Sequence, residues 1–420
     1  MMTTAQLPIT PWLTIVGIGE SGLNALGAEA QTAITRARIL FGGERHLALL
    51  AADFPAPAAQ QRIPWCSPFH QAVAQLLTYR GTPVTVLASG DPLWFGIGST
   101  LVAQLPAAEL RILPAPSAMS LAAARLGWAL QNVRVIAAHG RPLDNVTLHL
   151  ANGAQLLVLA ADEHTPEQLA ALVTARGYGA SRLTVFERIG GAAERRVEGI
   201  AANWAHPPGA ALNLIAVECV AVAGAMQLSR RGGLPDAAYQ HDGQLTKRDV
   251  RALTLARLTP QRGQLLWDVG AGCGSIGIEW MRADNGCRAI AIEANAARLA
   301  LLAENCRTLG VPELQIVAGH APEALAGLEA PDAVFIGGGL TVAGVFEICW
   351  AALKPDGVLV ANAVTLQSEA ALVGLRAQFG GELTRLSVAQ AAPLGRFDGW
   401  RTAMPITLYT VRKNALSISN

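Results

Sequence analysis

Short apolar runs rich in β-branched residues alternate with Ala- and Leu-rich amphipathic runs from one end of the chain to the other. Strand and helix in repeated alternation bury their apolar faces best as helices layered on mainly parallel sheets, so the pattern predicts an α/β protein. In the first half the strand-like runs are Leu13–Gly17, Arg38–Phe41, Val84–Ala88, Leu110–Leu113, Val133–Ala137, Leu156–Ala160, Leu183–Glu187 and Leu212–Val217. In the second they are Leu265–Val269, Arg288–Ile292, Leu314–Val317, Ala333–Ile336, Val358–Ala361 and Thr407–Tyr409. The polar, Gly-rich stretch SRRGGLP (229–235) follows the last strand of the first half and contains a Pro, which places a domain boundary between residues 1–228 and 229–420. Each part is long enough to bury its own core. The second reads as one open α/β domain. The first reads as one domain or as two small lobes, because a second strand-rich cluster begins near Asn132.

Composition excludes several classes of function. The 420 residues are 51% apolar and 15% charged, which rules out a disordered chain. Lys+Arg of 32 against Asp+Glu of 31 leaves a net charge of +1, without the basic excess that grips a nucleic-acid backbone, so no nucleic-acid partner is expected. Only Lys247, Lys354 and Lys413 are lysines, leaving 29 arginines, whose planar two-pronged donors suit ligand carboxylates. The six cysteines lack metal-site or redox spacing and are expected to be reduced, buried and inert, with no metal centre. The opening MMTTAQLPITPW has no basic-then-apolar leader, and no run of about 18–20 residues is continuously apolar. A soluble cytoplasmic protein that avoids membranes is the expectation.

The segment LLWDVGAGCGSIGIE (265–279) is a strand, a glycine-rich loop and the start of a helix. Glycines let the backbone approach a ligand while the helix N-terminus faces it. Glu293 ends the next strand, 19 residues after Gly274, where a carboxylate can accept from both hydroxyls of a ribose. Two readings fit. Gly272 to Gly277 is a G-x-G-x-x-G pattern, which would make the chain an NAD-dependent oxidoreductase. DVGAGCG (268–274) also resembles the acidic G-x-G-x-G loop of Rossmann-like methyltransferases that use S-adenosylmethionine. DAVFIGGG (332–339) and LKPDGVLVAN (353–362) resemble that family's fourth and fifth strands and favour the second reading. The resemblance implies that Asp268, Gly270, Ala271, Gly272, Cys273, Gly274, Glu293 and Ala321 bind the cofactor.

Ahead of the loop, LPDAAYQHDGQLTKRDVR (234–251) resembles the signature of the decarboxylating precorrin methyltransferase family of cobalamin biosynthesis, with Tyr239 at its aromatic position and Asp249 in place of its Glu. By that resemblance Thr246 contacts the cofactor, while Lys247, Arg248 and Arg251 line one side of a helix start near the substrate. Thr246 and Asp249 also have the spacing of a capping box. His241 and His320, the histidines of this half, are candidate acid/base groups.

In the first half, IVGIG (15–19), ASGDPLWFG (88–96) and PAPSAMSLAAARLG (114–127) each follow a strand, where open α/β sheets bind ligands. Together they resemble the tetrapyrrole methylase family, whose matching loops form an S-adenosylmethionine site between two lobes. The resemblance carries Gly17, Gly19, Gly90, Asp91, Ser117 and Ser120 into that site. Glu20-Ser21-Gly22 departs from the family's Pro-Gly-Gly. HGR (139–141) and Glu187-Arg188 match the branch that methylates carbon 5 of the precorrin ring, with Arg141 as a substrate cation. The fusion of both families implies a two-lobed tetrapyrrole methylase fold joined to a Rossmann-like methyltransferase fold, with two S-adenosylmethionine sites. It also implies a tetrapyrrole polycarboxylate substrate, methylation at carbons 5 and 15 with loss of the ring-C acetate carboxylate, and a homo-oligomer built through the C-terminal domain.

Overall fold

A computed structural model describes residues 11–57 and 59–414. The first ten residues, on which the expectation of no leader rests, lie outside them. The chain forms two compact units: one takes the residues up to Arg141 and Ala151–Ala223, the other Pro142–Leu150 and Gly224 onward. Pro142–Leu150 joins the second unit through contacts such as Asn145 Nδ2 donating to Glu313 Oε1 at 2.7 Å.

Unit 1 has two sheets. The first contains β1 (Leu13–Ile18), β2 (Ile39–Gly42), β3 (Gln61–Pro64), β4 (Val84–Ser89) and β5 (Leu110–Leu113), all parallel, in the order β3-β2-β4-β1-β5. Leu13 and Ile15 pack into one core and Val16 and Ile18 into another, so both faces of β1 are covered, as a parallel strand requires. The second sheet contains β6 (Val133–Ala137), β7 (Gln155–Leu159), β8 (Arg182–Glu187), β9 (Arg195–Ile200) and β10 (Asn213–Glu218), in the order β6-β7-β10-β8-β9. This sheet departs from the mainly parallel pattern of the chain: only β6 and β7 are parallel, and the other three pairings are antiparallel.

Unit 2 contains β11 (Leu265–Val269), β12 (Arg288–Glu293), β13 (Gln315–Ala318), β14 (Ala333–Ile336), β15 (Val358–Ala363), β16 (Glu382–Leu386), a ribbon of β17 (Ala389–Leu394) with β18 (Phe397–Thr402), and β19 (Ile406–Arg412). The sheet order is β13-β12-β11-β14-β15-β19-β16, parallel except for β19 and β16. In β11, Leu265, Trp267 and Val269 enter one core while Leu266 enters the other. Asp268 is therefore on the face of Leu266, under the helix Ser275–Ala283.

Five of the cysteines are buried, and burial raises the thiol of Cys219, Cys306 and Cys349 to about 12 and that of Cys273 and Cys287 to about 11. Cys66 is exposed, against expectation. Among the described residues, no group of three His, Cys, Asp or Glu could hold a metal ion, and no helix is long and apolar enough to cross a membrane.

Candidate functional site

Unit 2 has a cleft of about 1220 Å³ at the carboxyl ends of β11, β12, β14 and β15. Its floor is the loop after β11. Gly270 adopts φ +70°, and a Cβ there would lie 2.8 Å from Gly338 Cα, so two glycine backbones touch where a side chain would fill the cradle. Glu293 Oε2 accepts from Gly272 N at 2.7 Å and its Oε1 from Asn295 N at 2.8 Å, fixing the carboxylate at the rim. Asp268 Oδ2 accepts from Gly277 N at 2.8 Å, whereas its Oδ1 is buried without a partner among the described residues. Burial, reinforced by the charge of Glu293 and opposed by the Gly277 hydrogen bond, raises the Asp268 carboxyl to about 7. The Glu293 carboxylate beside one glycine loop suits a ribose-bearing cationic ligand with sulfonium and ammonium groups better than a diphosphate. The residues present fit S-adenosylmethionine.

Thr246, Lys247, Arg248, Gly270, Ala271, Gly272, Cys273, Glu293, His320 and Ala321 all line this cleft. Gly274, the N-cap of the helix Ser275–Ala283, and Asp268, beneath the loop, are not on the wall, and His241 is exposed outside it, its Nδ1 accepting from Gly243 N at 3.0 Å. Arg251 requires a correction. It is fully buried, and its Nε donates to Glu279 Oε1 at 2.5 Å while its other donors meet Asp236 and the carbonyls of Leu234 and Thr246. Glu279 also accepts from Tyr239 OH at 2.8 Å and Leu234 N at 3.0 Å. With its donors committed and no solvent access, Arg251 fastens the 234–251 segment to the helix after the glycine loop and cannot meet a substrate. The capping box is not formed either: Lys247 is the N-cap of the helix Arg248–Leu258, with no side-chain cap.

Several residues of this site were not legible in the sequence. Arg298 and Arg401 add cations to the cleft wall, although Arg298 is paired with Asp242 at 2.8 Å. Asn305 accepts from Gln240 N at 2.8 Å and donates to Cys273 O at 3.0 Å, tying the glycine loop to the segment ahead of it. Asn362 lines the cleft with its amide donating to Thr254 Oγ1 at 3.0 Å. Arg298, Arg401 and Asn305 come from elements outside every sequence motif, and Asn362, although it ends the segment 353–362, carried no signal of its role there.

In unit 1, β1 lies between β4 and β5, and the loops after these three strands emerge together. Gly90 N donates to Ile18 O at 3.0 Å and Ala115 N to Gly90 O at 3.2 Å. A Cβ on Gly17 would collide with the Gly90 carbonyl, and one on Gly90 would lie 2.8 Å from Ser117 Cα. Ser117 caps the helix Ala118–Leu126, accepting from Ser120 N at 3.1 Å. Asp91 Oδ1 accepts from Leu93 N at 2.9 Å and shapes a loop that exposes Leu93, Trp94 and Phe95. The guanidinium of Arg141 stands 5.9 Å from the Phe95 ring centroid. Gly17, Gly90, Asp91, Ser117, Ser120 and Arg141 therefore gather at one place. Gly19 is at the mouth, where a Cβ would meet nothing within 4 Å. The departure at Glu20 also acquires a partner, because Glu20 pairs with Arg45. Arg45 in turn lies 2.9 Å from His46 Nε2, and burial together with that guanidinium pushes the imidazole down to about 4.

The sequence matches the tetrapyrrole (corrin/porphyrin) methylases over residues 12–203 and the precorrin methyltransferase domain over residues 237–413. It is 49% identical over 409 residues to a precorrin-6Y C(5,15)-methyltransferase (decarboxylating) from Sinorhizobium sp, covering 96% of this chain and 97% of that protein. Two shorter proteins of Salmonella typhimurium each match part of the chain. Its cobalt-precorrin-7 C(5)-methyltransferase is 32% identical over 177 residues, 42% of this chain and 85% of that protein. Its cobalt-precorrin-6B C(15)-methyltransferase (decarboxylating) is 31% identical over 173 residues, 40% of this chain and 89% of that protein. All three are methyltransferases, and the NAD-dependent oxidoreductase reading has no support from them. The chain belongs to the family of decarboxylating precorrin-6Y C(5,15)-methyltransferases.

Proposed function

We propose that this methyltransferase methylates precorrin-6Y at carbons 5 and 15 and decarboxylates its ring-C acetate, giving precorrin-8 in cobalamin biosynthesis. Unit 1 carries the carbon-5 step and unit 2 the carbon-15 step with decarboxylation, each with its own S-adenosylmethionine site. The observation that carries the reading is the unit 2 cleft, where a glycine cradle over buried carboxyl groups shares one cavity with Lys247, Arg248 and Arg401. S-Adenosylmethionine, when bound, supplies an electrophilic methyl on sulfur. The chain's own work is positioning and exclusion of water.

Lys247, Arg248 and Arg401 hold the acetate and propionate carboxylates of the substrate. During decarboxylation the carbon–carbon bond to the carboxylate breaks, carbon dioxide leaves, and the electron pair delocalises into the macrocycle. One proton must return to the acetate-derived carbon, and His320, exposed on the cleft wall, is placed to deliver it. In unit 1 the exposed Leu93, Trp94 and Phe95 offer an apolar face to the ring, with Arg141 beside them for a carboxylate. The enzyme works in the cytoplasm, and Leu394, Phe397 and Trp400, exposed on the ribbon of unit 2, suit packing against a second copy. Incubation with precorrin-6Y and methyl-labelled S-adenosylmethionine should yield two labelled methyl groups and one carbon dioxide per tetrapyrrole. One methyl group and no gas would overturn the assignment.

A further inference from the structure

We infer that Glu194 is a positioning residue for the cofactor site of unit 1, acting through the second-lobe loop 188–191 as a strap across two of the three glycine-loop elements. The inference rests on the proposed assignment of a cofactor site to this unit. The strap touches both neighbours at once. Ser21, just beyond the first glycine loop, donates its hydroxyl to Gly190 O, and a Cβ on Gly191 would lie 2.8 Å from Glu20 Cβ. A Cβ on Gly190 would lie 2.9 Å from a methyl carbon of Leu121, in the helix that begins at Ser117. Ile189 is buried in the core shared by that helix and the second sheet.

The conformation of the strap is unusual enough to need holding. Arg188 has φ +46° and Gly190 φ +85°, so the left-handed region is entered at a non-glycine residue. Glu194 supplies the hold. One carboxylate oxygen accepts from Gly190 N at 2.6 Å, and both oxygens receive the guanidinium of Arg125, Nη2 at 2.6 Å. Arg125 is in the last turn of the same helix. One carboxylate thus joins the strap to the helix carrying Ser117 and Ser120, while the strap's far side meets Glu20 and Ser21. The two residues that depart from the family's Pro-Gly-Gly therefore do jobs the family residues cannot: Ser21, in place of a glycine, provides a hydroxyl donor, and Glu20, in place of the proline, fixes Arg45. The resulting seam sets the spacing between the Gly17–Gly19 loop and the Ser117 cap.

The test uses the full chain and follows both methylations separately, with S-adenosylmethionine varied. Glu194→Ala should raise the KM for S-adenosylmethionine at the carbon-5 step about tenfold and Ser21→Ala about threefold, the range for losing charge-assisted and neutral hydrogen bonds. The kcat of that step should change less, and the KM at the carbon-15 step should stay within about twofold. Ser21→Thr, which keeps the hydroxyl, should restore the wild-type KM. An unchanged KM in both Ala variants, or a fall in melting temperature with kcat reduced and KM intact, overturns the strap. A raised KM at the carbon-15 step instead would leave the strap standing and overturn the assignment of carbon 5 to unit 1.

Discussion

Unit 1 and unit 2 both gather glycine-rich backbone at the carboxyl ends of parallel strands, but they assemble it from different amounts of contiguous sequence. In unit 2 a single segment, 268–277, supplies the buried acid, the cradle and the helix N-terminus. A buried ion pair then bolts the neighbouring segment to that helix. Unit 1 uses three short loops separated by dozens of residues, brought together because β1 lies between β4 and β5. A contiguous site can be anchored by the core beneath it. A dispersed one depends on contacts between loops and on a second lobe that straps them.

The largest expected effect tests whether the two sites are independent. Gly17→Leu drives a side chain into Gly90, and Gly270→Leu drives one into Gly338 from a left-handed backbone. Each should lower one methylation by about 100-fold or more, a barrier increase of at least about 2.7 kcal/mol, and leave the other nearly intact. Product analysis by mass spectrometry reads both steps, and loss of both methylations from either substitution would break the comparison. Next in size is Arg251→Ala, which leaves Glu279 buried without its guanidinium and should cost unit 2 about 3–5 kcal/mol. Calorimetry should show only one of two transitions move; loss of carbon-15 activity at unchanged stability would return Arg251 to the substrate.

Smaller effects are expected at the cleft wall. Lys247→Ala or Arg401→Ala should raise the KM for the tetrapyrrole about fivefold without altering that for S-adenosylmethionine, and added salt should narrow the difference. The smallest effect sharpens the electrostatic contrast between the units. Folded Asp268 keeps its proton up to about pH 7, whereas the unfolded carboxyl loses it near pH 4, so unit 2 loses stability as pH rises through that window. His46 acts oppositely. Its unfolded imidazole holds a proton up to about pH 6.5 and the folded one only up to about 4, so unit 1 gains stability as pH rises between them. Asp268→Asn and His46→Gln should each remove one slope from melting temperatures recorded between pH 4 and 7, by a few degrees. The same sign of change in both variants would refute the contrast.

How much could be read from the sequence depended on burial. All fourteen strand-like runs fall on strands, within about a residue at most ends, because each carries an apolar run that enters a core or packs against one. The strands that escaped notice are β3, β9, β16, β17 and β18, which lie at sheet edges or in the two-stranded ribbon and contain no buried residue. Without a buried face, a strand has no apolar run to betray it. The antiparallel pairing of the second sheet escaped for a related reason: apolar runs mark strands but not their direction.

The helix at 248–258 shows the same limit within the site. Helical spacing puts Lys247, Arg248 and Arg251 near one another, and composition cannot say which of them faces the cleft. The fold left Lys247 and Arg248 on the cleft wall and turned Arg251 inward to Glu279. The sequence by itself determined the α/β layering, the glycine loops and the pairing of two families, because these are written in contiguous residues as periodicity and spacing. Only the tertiary structure decided which charges are spent inside, which of them line the cleft, and how Glu20, Ser21 and Glu194 meet across a seam. Those outcomes depend on distances between residues that are far apart in the chain, and a linear pattern does not carry them.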